Sequence, residues 1–215
     1  MRVPSGTNLY LEFAIAGGTP DSWRMVLAAA LESAPVASML IREDKNMRND
    51  VAVRDLITLA QQRGIAALLL GDAARACDLG ADGVHIPWSD EVVKEFKTAR
   101  GNASLIVGAD AGRTRHDAME IGEGGADYVA FGIPAHVGDR ARAMGRQLDL
   151  VSWWSELFEV PCVALDVSDA DYAHRLAVAG ADFIGVTAKG DENPSDAAQR
   201  IRIFSEALSV HEGVK

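Results

Sequence analysis

Two carboxylates follow apolar runs that read as neighbouring strands. Asp72 comes after Leu68-Leu69-Leu70-Gly71, and Asp90 stands a few residues beyond Val84-His85-Ile86. Hard oxygen donors on adjacent strand ends suit one Mg²⁺, completed by waters and a substrate phosphate. Such an ion bridges a diphosphate and stabilises its departure. Arg42, Lys45 and Arg140 can neutralise the remaining negative charge. His85, Asp110, His136, Asp166 and Lys189 also fall at or near the ends of apolar runs. Each residue has a plainer reading too. Asp72 and Asp90 both stand where an acid favours a helix start. A single histidine such as His85 can simply bond to backbone. Arg140 sits near Arg142 and Arg146, which suits a solvated loop face.

The elements that must hold these residues are marked by one phrase in three copies: Gly80-Ala81-Asp82, Gly125-Ala126-Asp127 and Gly180-Ala181-Asp182. Each copy follows a helix-like stretch and opens an apolar run. Gly takes the left-handed conformation that ends a helix. Ala packs in a tight corner, and Asp marks the wet edge of a buried strand. Helix end, short turn and buried strand, repeated, is the pattern of a parallel α/β protein. Strand-like runs fall at 9–15, 36–41, 65–70, 83–86, 104–107, 128–131, 162–165 and 183–186. Helix-like stretches with recognisable caps fall between them: Thr19-Pro20 before 21–32, Asn49 or Asp50 before 51–62, Ser89 before 90–97, and Thr114 before 115–122. Further helices are expected over 148–158, where Trp153 and Trp154 pack on the barrel, over 169–178, and from Asn193-Pro194 to Leu208. This alternation predicts an α/β fold, a (β/α)8 barrel with its chemistry at the C-terminal strand ends. A doubly wound open sheet is the alternative, but the first turn, Gly17-Gly18-Thr19-Pro20, lacks G-x-G-x-x-G. The Arg- and Gly-rich segment 132–147 is expected to be a mobile loop on the active face.

The 215 residues are enough for one such domain spanning 1–215, with no linker visible. No apolar run is long enough to cross a membrane, and no secretion signal is visible, so a cytoplasmic protein is expected. Cys77 and Cys162 are unclustered and lie in apolar stretches, which predicts reduced, buried thiols. A net charge of −10 argues against nucleic acid and anionic membrane as partners. Small anions remain admissible, because a local basic cluster or a bound cation overrides net charge. Apolar helix faces leave room for a homodimer.

The chain resembles the thiamine phosphate synthases and the related TenI-type thiazole tautomerases from about Leu9 onward. The likeness rests on Gly71-Asp72, then Gly80-Ala81-Asp82-Gly83-Val84-His85 with Asp90, then Gly125-Ala126-Asp127-Tyr128 leading to Gly132, and on Val160-Pro161-Cys162-Val163-Ala164. It implies a (β/α)8 barrel that couples hydroxymethylpyrimidine diphosphate to thiazole phosphate, with Mg²⁺-assisted loss of diphosphate. It also implies that Asp72 and Asp90 are the Mg²⁺ carboxylates, that Arg42 holds the diphosphate, and that His85 is the histidine of Gly-Val-His. Several positions depart from the family pattern. Leu40 replaces a glutamine, and the lysine after Arg42 is displaced to Lys45 or replaced by Asp44. Asp110 stands for a serine, His136–Arg140 for a threonine-rich loop, and Asp166-Val167 for a glycine pair. Lys189-Gly190 occupies the small-residue phosphate turn. The expected function is a divergent synthase in which Arg140, Arg113 and Lys189 supply substitute anion contacts. The alternatives are a tautomerase-like paralogue using His85 or His136, and an inactive binding or regulatory barrel.

Overall fold

A computed structural model describes residues 6–102, 104–134 and 136–209. Eight parallel strands close into a barrel in chain order: β1 (Asn8–Ile15), β2 (Ser38–Glu43), β3 (Ala66–Leu70), β4 (Gly83–Ile86), β5 (Ile106–Asp110), β6 (Tyr128–Phe131), β7 (Cys162–Ala164) and β8 (Phe183–Lys189). The helices are α1 (Pro20–Ser33), α2 (Asp50–Gln61), α3 (Ala73–Leu79), α4 (Val92–Arg100), α5 (Arg115–Glu123), α6 (Arg140–Leu157), α7 (Ala170–Val178) and α8 (Pro194–Ser209). The (β/α)8 expectation is met, and the closing pair is β1 with β8.

The three Gly-Ala-Asp copies do more than turn the chain. Gly80, Gly125 and Gly180 have φ of 75°, 86° and 101°, the left-handed region that favours glycine. Ala81, Ala126 and Ala181 are buried behind them. Each aspartate reaches back to the preceding strand. Asp82 accepts the Ala67 N–H, Asp127 the Val107 N–H and Asp182 the Cys162 N–H, each at 2.8 Å. The acids therefore fasten β3 to β4, β5 to β6 and β7 to β8 at the N-terminal ends of the strands.

The strands are buried on both faces, which explains their nearly continuous apolar sequence. One face packs on the helices, with Phe13, Ile41, Val84, Val107 and Phe131 against Val26, Leu56, Phe96, Trp154 and Leu176. The other face fills the barrel with Tyr10, Leu40, Leu68, Tyr128, Val163 and Leu165. Inside, Tyr128 Oη lies 3.0 Å from Tyr10 Oη and 2.8 Å from His85 Nδ1, so the buried hydroxyls satisfy one another. Gly108 makes room for this chain, since a Cβ there would lie 2.1 Å from the Tyr128 ring.

Four expectations change. The segment 132–147 is helical from Arg140 onward, because the Asp139 side chain caps α6 by accepting the Arg142 N–H at 3.0 Å. Ser89 does not cap α4, which starts at Val92; its Oγ accepts the Glu91 N–H within the preceding turn. β5 begins two residues later than expected and runs to Asp110, because Asn102 binds Ser104 in a turn. Cys77 is exposed, whereas Cys162 is buried as expected. The two indole side chains expected to pack the sixth helix do so: Trp154 is fully buried and stacks on Phe158 with centroids 4.0 Å apart.

Candidate active site

Alternation along the strands decides what faces the C-terminal mouth. On β1 the inward positions are Tyr10 and Glu12, and on β2 they are Leu40 and Arg42. Glu12 is 0% exposed, in the middle of an apolar strand. Its Oε2 accepts from Arg42 Nη1 at 2.6 Å. Burial pushes the Glu12 carboxyl up, and the facing guanidinium draws it back. The Arg42 side chain is 43% exposed. One edge of its guanidinium is therefore anchored below, and the rest looks into the mouth.

Asp110 ends β5. Its Oδ1 accepts the Gly112 N–H at 2.8 Å and the Gly132 N–H at 3.2 Å. Burial nevertheless raises its carboxyl to about 6, and the nearby Asp166 and Glu12 add repulsion. Asp166 follows β7 with φ of 56°, the only non-glycine residue in that region among those described. An aspartate tolerates the left-handed conformation at modest cost, so it can stand at this turn without a glycine. Its Oδ2 accepts the Ile133 N–H at 2.9 Å. The two acids meet over Gly132: a Cβ there would lie 2.6 Å from Asp110 Oδ2 and 3.0 Å from Asp166 Oδ2. Trp88 covers the β5 loop from the side, its indole 2.2 Å from where a Gly112 Cβ would be.

Gln147 is a buried residue of α6 that holds these loops from behind. Its amide nitrogen donates to the carbonyls of Phe131 and Leu165 at 2.6 and 2.7 Å. Its Oε1 accepts from Tyr172 Oη at 2.7 Å. The residues next in chain to those carbonyls are Gly132 and Asp166, so one side chain sets the spacing of both.

The remaining expected residues take several places. His85 lies in the barrel below the mouth, bonded to a tyrosine hydroxyl and not to backbone; burial lowers its imidazole to about 3, so the ring is neutral. Lys189 ends β8 at the exposed rim, in register with Ala14. Lys45 lies in a short 3-10 turn after β2, and Arg140 opens α6; both are exposed. His136 is exposed on the loop before α6. Asp72 caps α3, accepting the Arg75 N–H at 2.9 Å through Oδ1. Asp90 borders an open groove of about 850 Å³ with Trp88, Lys94 and Lys97. The β3 and β4 ends run together, because Gly71 donates its N–H to the His85 carbonyl at 2.8 Å. Among the described residues no three His, Cys, Asp or Glu side chains gather as a metal cluster. Two exposed carboxylates on neighbouring loops fit the partial, hydrated coordination that Mg²⁺ accepts, though not an all-protein cage.

Glu12, Gln147 and the Tyr10–Tyr128 pair were not singled out by sequence. Glu12 did carry a signal, an acid at an inward position of a buried strand. Gln147 carried none once its segment was read as loop.

The sequence profile described as thiamine monophosphate synthase matches residues 13–189. The chain belongs to this family. Thiamine-phosphate synthase of Hyphomonas neptunium is 33% identical over 94% of this chain and 96% of its own length. That of Rhodospirillum centenum is 34% identical over 88% of this chain and 92% of its own. In three dimensions, thiamine phosphate pyrophosphorylase from Pyrococcus furiosus superposes with a TM-score of 0.72 at 21% identity, covering 95% of this chain and 98% of that one. At that identity the superposition speaks for the (β/α)8 barrel fold and no further.

Proposed function

We propose that this chain is a thiamine phosphate synthase, joining hydroxymethylpyrimidine diphosphate to thiazole phosphate. The observation that carries the reading is the half-exposed Arg42 guanidinium, held at the mouth of a barrel of this family by the buried Glu12. An arginine pre-oriented by one carboxylate keeps its other N–H groups for a diphosphate. Relatives that share about a third of their residues carry the synthase name.

The reaction needs little acid–base chemistry. The bond between the pyrimidine methylene and diphosphate breaks, and its electron pair leaves with diphosphate. The thiazole nitrogen then donates its lone pair to the methylene carbon. Asp72 and Asp90 would hold Mg²⁺, which supplies charge neutralisation of the departing diphosphate. Arg42 binds the same leaving group from the β2 side, and Lys45 extends that side of the rim. Lys189 on the β8 side of the rim would take the thiazole phosphate, and His136 and Arg140, on the segment after β6, would complete the basic rim. His85, neutral and bonded to Tyr128, supports the barrel wall below the substrates. With its imidazole near 3, it is not a proton donor at neutral pH.

The test is diphosphate release by the purified protein with both substrates and Mg²⁺. Release that requires both substrates supports the reading. No release above background from folded protein overturns it.

A further inference from the structure

Three carboxylates share the mouth with one fixed cation. Asp110 Oδ2 and Asp166 Oδ2 face the same small volume over Gly132. Glu12 lies close enough to both for its charge to act on Asp110, and for Asp166 to act on it. Arg42 is the guanidinium that answers all three. Glu12 Oε1 is, among the described residues, the buried side-chain polar atom that makes no hydrogen bond of normal geometry, although the Asp166 backbone N–H acts on the carboxylate from nearby. An incompletely satisfied acceptor beside surplus negative charge is costly in the free protein. Positive charge arriving in the mouth relieves that cost. A phosphate placed against Asp166 would increase it.

We propose that Glu12, Asp110 and Asp166 form a cation-stabilising wall for a nitrogen heterocycle. The charge it meets is the one the pyrimidine methylene acquires as the C–O bond breaks. When the thiazole nitrogen forms the C–N bond, that charge passes to the ring nitrogen and stays there in the thiazolium product. The step moves one electron pair out with diphosphate and one in from nitrogen, so it requires no proton and no further reactant. This inference rests on the synthase reading and adds to it a role for two acids at positions where the family pattern has serine and glycine. It also places the thiazole phosphate group away from Asp166, on the Lys189 side of the rim.

The wall is tested by comparing two ligands that differ in ring charge. Thiamine phosphate carries the thiazolium cation, and thiazole phosphate has a neutral ring. Calorimetric titration of each would be run on the wild-type protein and on Asp110→Asn, Asp166→Asn and Glu12→Gln. Asparagine keeps an oxygen for the loop amides and tolerates the backbone of residue 166, and glutamine keeps an acceptor for Arg42, so the fold is retained. The expected result is that each change weakens thiamine phosphate by about tenfold or more and leaves thiazole phosphate unchanged or tighter. Equal effects on both ligands, or no effect on either, overturn the wall. If the wild-type protein releases diphosphate and yet shows no charge discrimination, the wall alone falls. If it neither releases diphosphate nor binds either ligand, the synthase reading falls and takes the wall with it.

Discussion

Arg42 Nη1 lies 2.6 Å from Glu12 Oε2, yet the arginine side chain is 43% exposed and the glutamate side chain 1%. The pair is lopsided: one partner has water as an alternative and the other does not. Arg42→Ala therefore strands a buried charge, whereas Glu12→Gln leaves an arginine that solvent can serve. We expect Arg42→Ala to lose about 2 kcal/mol in urea unfolding, below the full cost of breaking a buried pair because Arg42 is partly hydrated. Adding Glu12→Gln should recover most of that loss. An additive double variant would show that the two residues are not coupled.

Asp110 gives the site a pH dependence with a definite sign. Its folded value is raised to about 6 from an ordinary carboxylate value. The native state therefore holds this proton more tightly than the unfolded chain. The resulting penalty is absent at low pH, grows between about 4 and 6, and is constant above. Relative to Asp110→Asn, the wild-type protein should lose up to about 3 kcal/mol of stability across that window. His85 runs the other way, since its lowered value makes acid destabilising. The comparison with Asp110→Asn cancels that contribution, because both proteins contain His85. If the ionised Asp110 faces the reacting centre, kcat/KM should rise as pH passes about 6, and that limb should vanish in Asp110→Asn.

Gln147→Leu should be among the more damaging single changes behind the mouth. It removes the donor to the Leu165 carbonyl, whereas the Phe131 carbonyl keeps the Leu165 N–H and the Tyr172 hydroxyl keeps the Met144 carbonyl. With one buried carbonyl stranded and two other bonds lost, a loss of about 2 kcal/mol is expected in denaturant unfolding. Activity should fall further than stability explains at temperatures where the variant is fully folded, because the spacing of Gly132 and Asp166 relaxes.

Asp72→Asn with Asp90→Asn should abolish Mg²⁺ binding and most of the diphosphate release. The fold should persist, because asparagine still caps α3. Unchanged Mg²⁺ binding by that double variant, measured calorimetrically, would place the ion elsewhere.

The architecture was largely legible because its signals are local. Strands β4 and β6 begin and end where the apolar runs do, and each is announced by a Gly-Ala-Asp turn. The start of α6 was hidden because Gly145 and three arginines look like loop, and the Asp139 cap works only once the chain has turned. At the mouth, the strand-end residues Arg42, Asp110 and Asp166 could be named from spacing. Their shared environment could not, since it depends on Glu12 arriving from β1 and on Gly132 leaving a gap. The aspartates of the repeated phrase were read as a wet edge. Their role as acceptors for a neighbouring strand appears only when the barrel closes.

Those aspartates lie at the opposite end of the barrel from the mouth. They clip the strands in consecutive twos, β3 with β4, β5 with β6 and β7 with β8, through ties at the N-terminal ends of the strands. The integrity of the scaffold and the composition of its binding end are thus written in separate residues. A lineage can exchange glycine for aspartate or serine for aspartate around the ligand while the clipped floor holds the strands in register. A protein designer could exploit the same separation by varying positions 12, 42, 110, 166 and 189 together and leaving 82, 127 and 182 fixed.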